Sequence, residues 1–167
     1  ALVWGKEPSY FAAPRVRPLL ESLSKVAELH AVCSGCALGA LGLPVVDHGL
    51  LPREQYSRLL ASAAALVGLG QPLAGPSALE ALSLGVPYLD PALDPPKELG
   101  GNVYRSQHPY AAESPLSFSY DPADPEGAAE VLRHAVEAAK SARPHVPEPM
   151  RPEEYRRRVD RLTGYAP

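Results

Sequence analysis

The chain has 167 residues, 46% of them hydrophobic, and a formal net charge of -3. That suits one domain with one core and supplies no basic field for holding nucleic acid or an anionic membrane. No run reaches the roughly 18 consecutive apolar residues of a spanning helix and no signal-like segment opens the chain, so a soluble segment with neither partner is expected. Ala1-Leu2-Val3-Trp4 already reads as core strand with no initiator Met, and we expect a piece excised from something longer.

In chain order, Ala1-Trp4 is a short apolar strand stopped by Gly5. Arg15 to Leu29 places Val16, Leu19, Leu20, Leu23, Val26 and Ala27 at helical spacing. A second strand covers His30-Cys33, the Gly-rich residues 34–44 form a loop with room for one helical turn, and Val45-His48 is a third strand ended by Gly49. Pro52 opens a helix in its favourable first turn, with Tyr56, Leu59, Leu60 and Ala63 as the apolar face.

Ala64-Gly68 is the fourth strand. Pro76 starts a helix with Leu79, Leu82 and Ser83 inward and Gly85 as its stop. Val86-Leu89 is the fifth strand, residues 90–115 a long excursion outside regular structure, Leu116-Tyr120 the sixth strand and Pro125-Ala142 an amphipathic helix. The 20 prolines mark turns between these elements.

Alternating strands and helices imply an α/β fold, a Rossmann-like open parallel sheet of about six strands with helices on both faces. Residues 1–143 form that domain, and residues 144–167 a Pro-rich linker and a terminal helix over Glu153-Leu162. Ligands of such sheets bind at the carboxyl ends of the strands, which directs attention to the loops there.

The stretch GLGQPLAGPSALEALSLG stands at such an end. Gly75-Pro76-Ser77 begins a helix whose free N-H groups suit a phosphate, and Glu80, one turn further in, can accept two hydrogen bonds from a ribose diol. The same Ser77-x-x-Glu80 spacing also fits an ordinary capping box. Gly68-x-Gly70 lacks the third glycine of a dinucleotide fingerprint, and no P-loop lysine follows.

Cys33 and Cys36 lack the companions of a redox or zinc site, leaving a local disulfide and two buried thiols both open. Asp90 and Asp94 lack metal-site spacing and read as loop and turn formers.

The Gly49 to Gly70 run, the Gly75-Pro76 helix with Glu80, and LGVPYLD resemble the donor (C-terminal) half of GT-B glycosyltransferases. More narrowly, LVWGK, VVDHGLL, GPSALEALSLG, LDPPK and SQHPYA stand in the order and spacing of the N-acetylglucosaminyltransferase V family. The resemblance covers about residues 1–140. It implies transfer of N-acetylglucosamine from UDP-N-acetylglucosamine to the 6-hydroxyl of mannose in N-glycans, with inversion, in the Golgi lumen of a type II membrane protein whose anchor lies outside this segment.

By the same resemblance Glu80 binds the ribose, Gly75, Pro76 and Ser77 meet the diphosphate, and backbone around His48, Gly49 and Leu50 meets the uracil. Lys6 and Lys97 neutralise the leaving diphosphate, so no cofactor or metal is expected; on residue type alone both also read as solvated surface lysines. His108 is either a donor contact or a turn-stabilising hydrogen bonder. The general base and the acceptor site belong to a missing N-terminal domain, so this chain holds no catalytic residue and is expected to be inactive alone.

The chain departs from the family pattern at Ala74, where an acidic residue is expected, and in a shorter segment between Lys97 and Gln107. Two alternatives stand beside this reading: a non-catalytic nucleotide-sugar-binding module, and another GT-B enzyme such as a hexosyltransferase or a UDP-N-acetylglucosamine 2-epimerase.

Overall fold

The computed structural model describes residues 1–163. The central strand β1 (Leu2–Trp4) is buried throughout. Its pleat sends Val3 into one apolar cluster and Leu2 and Trp4 into another on the opposite face. A single turn, α1 (Pro8–Phe11), follows. The sequence reading did not include it; the buried Phe11 ring anchors it against Gly5, where a Cβ would lie 2.6 Å from that ring.

Helix α2 (Val16–Leu23) stops short of the expected Leu29. Val26 and Ala27 both donate their N-H groups to Leu23 O, at 2.9 and 3.2 Å, so the chain tightens into a turn that drops Leu29 into the core. Strands β2 (His30–Ala31) and β3 (Val46–Asp47) are shorter than expected. Between them residues 34–44 make successive turns without a helix, burying Cys36, Leu38 and Leu43. Cys33 and Cys36, left open by the sequence, are paired as a disulfide with Cα atoms 5.5 Å apart.

Helix α3 (Arg53–Ser62) takes Pro52 as its N-cap, one position outside the expected first turn. Strand β4 (Leu66–Gly68) leads to α4 (Ser77–Ser83), whose buried positions are Ser77, Ala78, Ala81 and Leu82. Ser83, expected inward, is exposed and bonds back to Glu80 O at 2.8 Å.

The excursion expected over residues 90–115 is largely regular structure. Strand β5 (Tyr88–Leu99) continues into it, turns at Gly100-Gly101, and pairs antiparallel with β6 (Asn102–Ser106). Both glycines have positive φ, 58° and 78°, the backbone that a tight hairpin turn requires. Pro95 and Pro96 carry no N-H, and the ladder is interrupted between Ala92 and Lys97. The prolines conceal the strand from a reading based on pattern. Asp90 and Asp94 therefore lie in β5 and are not loop formers, Asp90 buried and Asp94 exposed.

After α5 (Pro109–Ala112), strand β7 (Ser117–Tyr120) pairs parallel with the first residues of β5. Helix α6 (Pro125–Ala139) then crosses back, capped by the Asp124 carboxylate on Gly127 N-H at 3.0 Å. His145 N-H donates to Leu82 O at 2.8 Å, leading into a 3-10 turn (Glu148–Met150) and α7 (Pro152–Thr163). Of the expected terminal segment 144–167, residues 164–167 lie outside the described residues.

The parallel strands run β3-β2-β1-β4-β5-β7 with the β6 hairpin arm off β5, the order of doubly wound Rossmann-like folds. Residues of α2 and α6 fill one face, while α3, α4 and α5 fill the other. The order reverses between β1 and β4, so the loops after these two strands diverge and open a crevice between them.

Leu132 is fully buried in α6 within the cluster that includes α2. Leu132→Ala should cost about 2 to 5 kcal/mol, read as a lower urea midpoint at unchanged slope.

Candidate functional site at the carboxyl edge of the central strands

A cleft of about 320 Å³ lies where the strand order reverses, within the size range of small-ligand sites. Trp4, Gly5 and Lys6 at the end of β1 line one side, and Pro76, Ser77 and Glu80 of α4 line another. Leu50, Leu51, Arg53 and Tyr56, from the turn after β3 and from α3, complete it with Val32.

The capping box that the spacing allowed is not formed. Pro76 holds the N-cap position without a side-chain cap, and Ser77 is buried on the cleft wall. Glu80 is thereby left facing the cleft, with its side chain 34% exposed. Its ion pair is with Arg53 at 3.5 Å, and that arginine side chain is 88% exposed; such a pair holds the carboxylate weakly. Tyr56 sits beside Ser77 and Glu80, where burial, opposed by Ser77 and reinforced by Glu80, raises its phenol above the ordinary 10.0. The phenol is neutral and available as a donor.

Gly75 stands behind this wall. A Cβ there would meet the Trp4 ring at 2.7 Å, so glycine lets the loop before α4 close onto the tryptophan. Gly49, at φ 64°, donates its N-H to Asp47 Oδ1 at 2.9 Å. This turn presents Leu50, 78% exposed, at the cleft.

The structure thus brings Lys6, Leu50, Pro76, Ser77 and Glu80 together as lining residues, with Gly49 and Gly75 adjoining them, while His48, Lys97 and His108 do not line the cleft. His48 stacks on His30 with ring centroids 5.2 Å apart, its Nε2 2.9 Å from His30 Nδ1. Lys97 Nζ donates to Gly70 O at 2.9 Å, and burial, followed by the nearby Arg15 charge, lowers its pKa. His108 is buried and caps α5, its Nδ1 accepting Ala111 N-H at 3.3 Å. Burial lowers its pKa below 6.5, in keeping with a neutral ring whose Nδ1 is an acceptor.

Trp4, Arg53 and Tyr56 are lining residues that sequence reasoning missed. By sequence Trp4 belongs to an apolar strand and Tyr56 to an apolar helix face, and only their placement at the strand-order reversal marks them as cleft residues. Chemically, the cleft offers a carboxylate acceptor, hydroxyl donors, cations and an aromatic side, a set suited to a polyol that carries an anion. Among the described residues no group of three or more His, Cys, Asp or Glu could hold a metal ion, and no helix is long and apolar enough to cross a membrane.

The sequence model of glycosyltransferase family 18 matches residues 1–164. The chain is 33% identical over 121 residues to the alpha-1,6-mannosylglycoprotein 6-beta-N-acetylglucosaminyltransferase A of Homo sapiens, and 33% identical over 123 residues to the human B enzyme. Each match covers 66% of this chain and 16% of the relative. It is 30% identical over 120 residues to the alpha-1,6-mannosylglycoprotein 6-beta-N-acetylglucosaminyltransferase of Caenorhabditis elegans, covering 69% of this chain and 17% of that protein. The chain therefore spans about a sixth of the length of these relatives.

Behind the cleft, burial pushes the Asp90 carboxyl up from 3.8 to about 6, against the opposing pull of Gln107 N-H. A carboxyl with a raised folded-state pKa binds its proton more tightly in the folded chain. Its cost is absent below the unfolded pKa, grows between about pH 4 and pH 6, and is complete above. Asp90→Asn should remove this dependence. The stability of the variant relative to the parent, from urea unfolding at several pH values, should rise across that window by about 2 to 3 kcal/mol and level off above it.

Proposed function

Because the chain belongs to glycosyltransferase family 18, we propose that it is the donor-binding half of an enzyme moving N-acetylglucosamine from UDP-N-acetylglucosamine to the 6-hydroxyl of a mannose in N-glycans, with inversion. The observation that carries this reading is the placement of Glu80 and Lys6 in one cleft at the strand-order reversal. Glu80 accepts hydrogen bonds from the ribose hydroxyls of the donor. Lys6 faces the diphosphate, with Ser77 as a neutral donor beside it, and the backbone around Leu50 meets the uracil.

When the bond between the sugar and the diphosphate breaks, negative charge builds on the departing phosphate oxygen. An ammonium at that point stabilises the charge as it develops, work that a divalent cation does in other sites. Inversion also needs a base to take the proton of the mannose hydroxyl as its oxygen attacks the sugar carbon. In this reading that base is a carboxylate on a separate acceptor-binding domain, within a Golgi lumenal enzyme.

Calorimetric titration of the 167-residue chain with UDP, with and without EDTA, tests the reading. Binding insensitive to the chelator and lost in Glu80→Ala is the expected outcome, with unfolding shifted by less than about 1 kcal/mol because the Arg53 pair is exposed. Unchanged affinity in Glu80→Ala would remove Glu80 from the site. The same chain, offered UDP-N-acetylglucosamine and an N-glycan acceptor, should give no detectable transfer product by mass spectrometry, and measurable transfer would place the base within these residues.

A further inference from the structure

The loop 69–76 carries the start of α4, and it has no regular structure of its own. Two of its residues hold positive φ, Gly70 at 83° and Ala74 at 52°. A left-handed alanine costs about 1 to 2 kcal/mol, so the surroundings of the loop must hold it there.

Gln107 supplies most of that hold. It is fully buried at the end of the β5–β6 arm. Its side-chain Oε1 accepts Gly70 N-H at 2.9 Å, and its Nε2 donates to Pro72 O at 3.1 Å. Its main-chain carbonyl accepts Ala74 N-H at 2.9 Å. An N-H can only meet the amide oxygen and a carbonyl only the amide nitrogen, so these partners fix the orientation of the side chain. One residue thus grips the loop at three alternate positions, as a neighbouring strand would.

Gln107 is itself held from behind. Its N-H donates to Asp90 Oδ1 at 2.9 Å, and the Tyr88 hydroxyl lies 3.2 Å from its Oε1. Gly68 has no side chain where one is forbidden, since a Cβ there would collide with Gln107 Oε1 and reach the Tyr88 hydroxyl at 2.7 Å. Lys97 adds one more tie, to Gly70 O. None of Gln107, Asp90 or Tyr88 lines the cleft.

We infer that Gln107 is a positioning residue for nucleotide binding, setting the place of Ser77 and Glu80 through the loop 69–76 without touching the ligand. The inference rests on the donor-site reading above. It also gives the SQHPY segment a role that His108, occupied in capping α5, does not fill.

The test titrates the 167-residue chain with UDP in the parent, Glu80→Ala, Gln107→Ala and Gln107→Glu. Gln107→Ala should bind UDP at least about tenfold more weakly, because the freed loop must be ordered on binding, while unfolding cooperatively in urea. Gln107→Glu separates positioning from a general loss of packing. When protonated it matches the amide and keeps both loop contacts; when ionised it loses the donor to Pro72 O and sets a charge beside Asp90. Its affinity relative to the parent should therefore recover as the pH falls from about 8 to about 5.5.

A folded Gln107→Ala protein with UDP affinity within about twofold of the parent overturns the inference, as does a Gln107→Glu ratio that does not change with pH. If Gln107→Ala does not fold, the pH response of Gln107→Glu decides alone. A parent chain that does not bind UDP, or Glu80→Ala at parental affinity, overturns the reading of the cleft itself. Loss of binding in Glu80→Ala with normal Gln107 variants removes only the positioning role.

Discussion

The cleft depends on the pairing of β1 with β4. Leu2, Val3 and Trp4 stand in register with Leu66, Val67 and Gly68, and all six are buried. In a parallel sheet covered on both faces every residue of a central strand must be apolar or very small, and these two strands meet that demand within three residues each. Once they are neighbours, the chain leaving β1 runs toward β2 and the chain leaving β4 runs the other way. The gap between those departing loops is the cleft, and pleat alternation turns Trp4 toward the helices that line it.

Close approach is the second constraint. Gly75 lets the loop close on Trp4, and Gly68 leaves space for Gln107 and the Tyr88 hydroxyl. Both glycines serve contact with a neighbour and not an unusual backbone angle. The polar groups in this interior are tied to one another: Tyr120 OH donates to Gly68 O at 2.5 Å, Gln107 N-H to Asp90, and Lys97 to Gly70 O. A buried polar group without a partner costs more than a made hydrogen bond gains, so such a network specifies one loop conformation more than it adds stability. At the cleft, the Glu80 and Lys6 side chains are by contrast partly exposed and exposed, respectively.

Lys97 and His108 are both tied into the protein. Both stand in the segments that carry the family resemblance, and both are engaged with the protein itself, one with Gly70 O and the other with the first turn of α5. Lys6, in the short link between β1 and α1, lines the cleft.

The order of the parallel strands and of the longer helices was legible in the sequence, because apolar runs alternate with amphipathic stretches punctuated by Pro or Gly, while α1, β6 and α5 were not. The position of Glu80 at the carboxyl edge was legible as well, since it follows from the order of strand, glycine-rich loop and helix; whether it capped its helix was not. Tertiary structure alone decided three things. It made a hairpin of residues 90–106, which prolines disguise by removing ladder donors. It converted the Ser77-x-x-Glu80 spacing from a cap into a cleft wall, because Pro76 occupies the cap position and Ser77 is buried. It also placed Trp4 and Tyr56 at the cleft and Gln107 against the loop before α4, contacts between segments distant in the chain: Gln107 meets Gly70, Pro72 and Ala74 only when β5 and β6 have folded. Periodicity reports which face of an element is buried, and it carries no information about what that face is buried against.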